Sequence, residues 1–153
     1  MKAIFWIGRS GALGSSIRAF KQRGVSHAEL LFSDGYAGTS DREKGGVVIY
    51  QLDPRPADWV VLDLPDTCNE DRARALIQDE VGAAYDWLGI AMAQVLPWNR
   101  EDPTKWFCSE IVAAALRLAY PRTLADVTPH QLDPAGLLDL LDERMPYLRA
   151  EAS

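Results

Sequence analysis

Residues 26–35, Ser26-His27-Ala28-Glu29-Leu30-Leu31-Phe32-Ser33-Asp34-Gly35, are the stretch from which the fold is read. From His27 the chain alternates with period two. Ala28, Leu30 and Phe32 fall on one side and His27, Glu29 and Leu31 on the other, the pattern of a strand with distinct faces. Ser33-Asp34-Gly35 then supplies turn chemistry, so the strand runs into a hairpin turn. Toward the N-terminus, Lys2 to Ile7 is a short apolar run that reads as a strand. It feeds the turn-rich Gly8-Arg9-Ser10-Gly11-Ala12-Leu13-Gly14. Ser15 or Ser16 is placed to cap a short helix from Ile17 to about Arg23, with Gly24 ending it.

Toward the C-terminus, Val47 to Leu52 and Trp59 to Leu64 are rich in β-branched and aromatic residues and read as strands, separated by Asp53-Pro54-Arg55-Pro56. Thr67 and Glu70 have capping-box spacing ahead of a helix from Arg72 to Val81. Its Ala73, Leu76, Ile77 and Val81 share a face, and Gly82 is its stop. Tyr85-Asp86-Trp87-Leu88-Gly89-Ile90 reads as the entry to a short helix reaching Gln94. Phe107 to Tyr120 is a helix whose Ile111, Val112, Ala115, Leu116 and Ala119 form one apolar stripe, ended by Pro121. Asp133 and Pro134 take the N-cap and N1 positions of a short closing helix carrying Leu137, Leu138 and Leu141, before a polar tail from about residue 146. No repeats or low-complexity tracts interrupt this order.

At 153 residues and 48% hydrophobic, the chain is expected to form one domain with an adequate core. Lys and Arg number 16 against 22 Asp and Glu, a net charge of −6 that opposes a sequence-independent grip on nucleic acid. No apolar run approaches the roughly 20 residues of a membrane span, and the N-terminal run is too short for a signal peptide. The expectation is a cytosolic protein without stable membrane anchoring. Its two cysteines, Cys68 and Cys108, are then read singly rather than as a disulfide.

Cys108 falls in the first turn of the apolar helix, within Lys105-Trp106-Phe107-Cys108-Ser109-Glu110. Free backbone N–H groups and the positive end of the helix dipole favour a thiolate there, which makes the residue a candidate nucleophile. The competing assignment is a small buried core side chain. His27 is one of two histidines and has the titration range of a general base. Glu29, two residues on along the same face, is placed to orient its ring. His130 reads as a capping or packing residue. Two Cys and two His at 27, 68, 108 and 130 lack ligand spacing, so neither a metal nor a cofactor is expected. The Gly8, Gly11, Gly14 loop lacks the remainder of a phosphate-binding motif. Trp87, Trp98 and Trp106 flank Cys108 in sequence, and read as core or as a groove wall.

Four pieces together resemble the circularly permuted, papain-like branch of the NlpC-type cysteine peptidase superfamily, the YiiX-like proteins and related small phage-encoded proteins. They are Gly14-Ser15-Ser16-Ile17 leading to Ser26-His27-Ala28-Glu29-Leu30; Ser33-Asp34-Gly35; Gly82-Ala83-Ala84-Tyr85-Asp86-Trp87; and Phe107-Cys108-Ser109-Glu110-Ile111-Val112. A final Thr128-Pro129 to Leu132 resembles the loop before that family's closing helix. The histidine strand precedes the cysteine helix, the order of the permuted branch. The resemblance implies an α+β papain-like fold in which the Cys108 helix packs on an antiparallel sheet presenting His27. It implies a third polar residue about twelve positions beyond the histidine, at Thr39. Glu29 is preferred here for its charge and shared face, with Thr39 as the alternative. Tyr85, Trp106 and Ser109 are the expected groove residues.

The activity so implied is a cysteine peptidase or amidase working without cofactor through an acyl-enzyme, with a peptide or peptidoglycan stem peptide as substrate. Delivery to the wall would then depend on phage or secretion machinery. A thioesterase or acyltransferase on the same residues is the alternative chemistry. A phage or host protein-interaction module retaining the fold is the non-enzymatic one.

Overall fold

The computed structural model describes residues 1–7, 24–66, 69–85 and 105–153. Five strands make one sheet: β1 (Lys2–Trp6), β2 (His27–Leu31), β3 (Tyr36–Asp41), β4 (Gly46–Gln51) and β5 (Trp59–Asp63). Their spatial order is β4-β3-β2-β1-β5, and every neighbouring pair is antiparallel. Two further short strands, β6 (Ala84–Tyr85) and β7 (Lys105–Trp106), pair in parallel. The helices among the described residues are α1 (Glu70–Asp79), α2 (Cys108–Ala119) and α3 (Pro134–Ala152), with a 3₁₀ turn at Pro129–Gln131. The chain is α+β, with an antiparallel sheet carrying its helices.

Period two in β2 does what alternation predicts. Ala28 and Leu30 enter the large core with Phe5, Val47 and Val60 from the sheet and with Ile111, Val112, Ala115 and Leu116 from α2. Leu31 joins Ile4 and Ala37 in a smaller second cluster. The α2 stripe is fully buried, which is why this helix rather than a more polar one lies against β2 and β3. The strand turns at residues 33–35 as its residues require, with Gly35 at φ +84°. Gly46 has a stricter need. At φ +143° it lets β4 approach residues 82–84, where Val47 N–H donates to the Ala83 carbonyl at 3.0 Å. A Cβ there would lie 2.0 Å from that carbonyl oxygen.

The structure departs from the sequence pattern at several points. Residues 36–41 form β3, although Ala37, Gly38, Thr39 and Ser40 give little apolar alternation. Small size is what the position requires, since a Cβ on Gly38 would sit 3.0 Å from Ile77. The α1 helix starts at Glu70, capped by Asn69, so Glu70 is not the third residue of a capping box. Its carboxylate instead accepts the Ser33 N–H at 2.7 Å, tying α1 to the hairpin. That helix ends at Asp79, and Val81 is 53% exposed rather than on the apolar face.

Finally, the polar tail from about 146 is helix. The α3 helix continues through Pro146 to Ala152 because Met145 and Leu148 are buried and Glu151 accepts the Arg122 and Thr123 N–H groups at 2.9 and 2.7 Å. Those contacts offset the backbone hydrogen bond that proline removes. Tyr85 lies in β6, not at a helix start. The expected helix from Ile17 to Arg23, Thr67, Cys68 and the segment 86–104 lie outside the described residues.

Candidate active site

His27 opens β2 and pairs with Trp6 of β1 in the strand register. Its side chain is four-fifths buried, with 20% exposure. The Nε2 atom faces two acceptors: Glu29 Oε1 at 3.1 Å and Thr39 Oγ1 at 3.4 Å. Glu29, two residues on along the strand, and Thr39, on the neighbouring strand, thus meet at the same ring nitrogen. The Thr39 hydroxyl itself donates to the Ala28 carbonyl at 2.8 Å, so the threonine is anchored to the histidine strand.

Cys108 lies near enough to the same imidazole to act on its protonation. Burial alone would lower the histidine pKa. The hydrogen bonds and negative charges of Cys108 and Glu29 outweigh it and push the value up to about 9. The ring is thus held as an imidazolium through neutral pH. Asp41, whose own carboxyl is lowered by Lys44 and by nearby backbone N–H groups, also lies in the field of His27.

Cys108 is the first residue of α2 and is fully buried. Three polar clasps fix the turn that carries it. The Ser40 hydroxyl donates to the Trp106 carbonyl at 2.7 Å, joining β3 to the segment before the helix. The Glu110 carboxylate accepts the Phe107 N–H at 3.3 Å, half of a capping box, since phenylalanine offers no side-chain oxygen for the other half. The Ser109 hydroxyl donates to the Leu132 carbonyl at 2.5 Å. The backbone N–H groups of a helix's first turn have no partner within the helix, and Cys108 stands in that turn.

Of the expected groove residues, Ser109 is fully buried with its hydroxyl engaged as above. Trp106 is partly buried, its indole N–H donating to Glu80 Oε2 at 2.8 Å, and it pairs with Tyr85 across β6 and β7. His130 lies in the 3₁₀ turn Pro129–Gln131.

One residue that sequence reading passed over is Tyr50 on β4, whose hydroxyl lies 2.7 and 2.9 Å from the two oxygens of Glu29. Nothing in the local pattern marks it, because the contact depends on the register of three strands. Chemically the arrangement is a thiol, a charged imidazole and a buried carboxylate in series. Among the described residues no group of three His, Cys, Asp or Glu side chains is arranged to hold a metal ion, and no helix is long and apolar enough to cross a membrane. Compared with protein-family models, curated proteins and solved structures, the chain matches none of them.

Proposed function

We propose that this chain is a cysteine hydrolase that cleaves an amide bond, with Cys108 as nucleophile, His27 as general acid and base, and Glu29 as the residue that orients and charges the imidazole. The observation that carries the reading is the His27 ring, whose Nε2 lies 3.1 Å from the Glu29 carboxylate and whose pKa is raised by Cys108 as well as by Glu29. In this reading Glu29 supplies charge and Thr39 a neutral second contact at 3.4 Å.

In the proposed cycle the thiolate of Cys108 adds to the carbonyl carbon, and the oxyanion is held by backbone N–H groups at the start of α2. The His27 imidazolium gives its proton to the departing amine as the C–N bond breaks, leaving a thioester. His27, now neutral, takes a proton from water; the hydroxide displaces the thiolate, and the carboxylic acid leaves. The resemblance to permuted papain-like enzymes favours peptidoglycan stem peptides as substrate, and the charge of −6 is consistent with a non-nucleic-acid ligand.

The test is cleavage of purified muropeptides by the parental protein and by Cys108→Ala, read as new free amine. The expected result is cleavage by the parent and none above background by the variant. A Cys108→Ala protein that cleaves at the parental rate overturns the assignment.

The complete burial of Cys108 favours a second reading, a binding module that keeps the fold and whose thiol is a core side chain. Alkylation by iodoacetamide, with the modified cysteine located by mass spectrometry, separates the two. A hydrolase shows Cys108 alkylation that drops in His27→Gln, whereas a module shows the same slow reaction with either residue at 27.

A further inference from the structure

We propose that Tyr50 is a positioning residue that sets the carboxylate of Glu29 against the His27 ring, and so acts on the site through Glu29 rather than on a reacting group. The inference rests on the hydrolase reading and names a part of its machinery. Glu29 is 2% exposed, and Oε1 alone faces the imidazole, at 3.1 Å. A carboxylate turns easily about its terminal torsion. The Tyr50 hydroxyl, 2.7 Å from Oε1 and 2.9 Å from Oε2, removes that freedom by offering one donor to both oxygens. It also gives the buried anion a hydrogen bond that solvent cannot supply.

The route by which a tyrosine on β4 reaches a glutamate on β2 is visible in β3. Tyr50 pairs with Ala37, and β3 contributes only small side chains from Ala37 to Ser40. The phenol is itself fixed. Lys44 Nζ sits 4.3 Å above the ring and pairs with Asp41 at 2.6 Å. Burial first, then the charge of Glu29, raises the Tyr50 pKa, so the hydroxyl keeps its proton wherever the protein is folded.

The titratable and charged groups around His27 are Glu29 on its own strand, Asp41 on β3 with Lys44 following it, Tyr50 on β4 through Glu29, and Cys108 on α2. Among them, Tyr50 is the one whose loss changes no formal charge. Removing its oxygen therefore tests geometry and hydrogen bonding alone.

The experiment is an NMR titration of the His27 imidazole in the full chain without substrate, the resonance assigned by its loss in His27→Gln. Tyr50→Phe is compared with the parent, and both are repeated in a Glu29→Gln background. The expected result is a midpoint that moves down toward the ordinary histidine value in Tyr50→Phe, and no movement for the same substitution once residue 29 is glutamine. An unchanged midpoint in Tyr50→Phe, or an equal shift in both backgrounds, overturns the proposal. Tyr50→Thr, with a strand-favouring side chain too short to reach Glu29, is the second variant should the phenylalanine form fail to fold. The titration involves no cleavage, so its failure is distinguishable from failure of the muropeptide comparison that tests the hydrolase itself.

Discussion

The imidazole of His27 and the thiol of Cys108 come from regions built in opposite ways. Around His27 the fixing contacts are polar: Glu29, Thr39 and, behind them, Tyr50. Around Cys108 they are apolar packing plus hydrogen bonds to main chain. The α2 stripe is buried, and Ser40, Ser109 and Glu110 grip backbone groups rather than the thiol. A polar surround tunes protonation, because each hydrogen bond and charge weighs one state of the ring against the other. A packed surround tunes position and says little about charge. Substitutions on the histidine side should therefore alter the pH response of a folded protein, and those on the cysteine side should alter folding or placement.

With the nucleophile kept, the largest expected effect is that of His27→Gln, which removes the proton carrier. General acid and base catalysis contributes about 10²–10⁴-fold. The variant is expected to lose activity by about that factor in steady-state hydrolysis, and to lose the stability that the imidazolium contributes below about pH 6.5. On the cysteine side, Leu116→Ala opens a cavity beneath α2, where Leu116 is fully buried, and should cost about 2–5 kcal/mol in urea unfolding. The fraction that remains folded should keep the parental His27 titration. If that titration changes as strongly as it does in Glu29→Gln, the division between the two regions fails.

Glu29→Gln comes next. It removes the charge that helps hold the histidine above its ordinary value, and a hydrogen bond to a charged group is worth about 1.5–3 kcal/mol, so activity near neutral pH should drop roughly 10- to 100-fold. The sign of its pH effect follows from the raised histidine. With a folded value of about 9 against 6.5, the imidazolium contributes stability in full below about 6.5, and that contribution disappears as pH climbs through about 9. The alkaline limb of the rate profile should fall over the same range in the parent and move to lower pH in Glu29→Gln. A pH–rate profile on both proteins reads this directly. The smallest effect is that of Ser40→Ala, which frees the Trp106 carbonyl and should cost about 0.5–1.5 kcal/mol of stability, with no shift of either pH limb.

The same contrast explains how far the sequence could be read. The β2 strand and the α2 helix were legible because each carries its own period, two in one and 3.6 in the other, and each buries the face that its period exposes. Glu29 was legible as a partner of His27 because residues two apart in a strand share a face. The β3 strand was not, since its small residues are selected by Ile77 and Phe32 packing close to Gly38, a constraint that comes from α1 and from the residue just past β2. Tyr50 was hidden for a related reason, as its contact with Glu29 spans two strand pairings. In α3, Pro146 reads locally as a stop, and only the grip of Glu151 on residues 122 and 123 carries the helix past it. The short β6 and β7 pair is set by parallel pairing between distant segments, which no local pattern records.

The meeting of imidazole and thiol is tested most directly by titrating His27 by NMR in the parental protein and in Cys108→Ala. The account predicts a midpoint near 9 in the parent that falls clearly when the sulfur is removed, because Cys108 contributes both a hydrogen bond and a charge to that value. Superimposable titrations of the two proteins would mean that the ring does not sense residue 108, and would contradict the account.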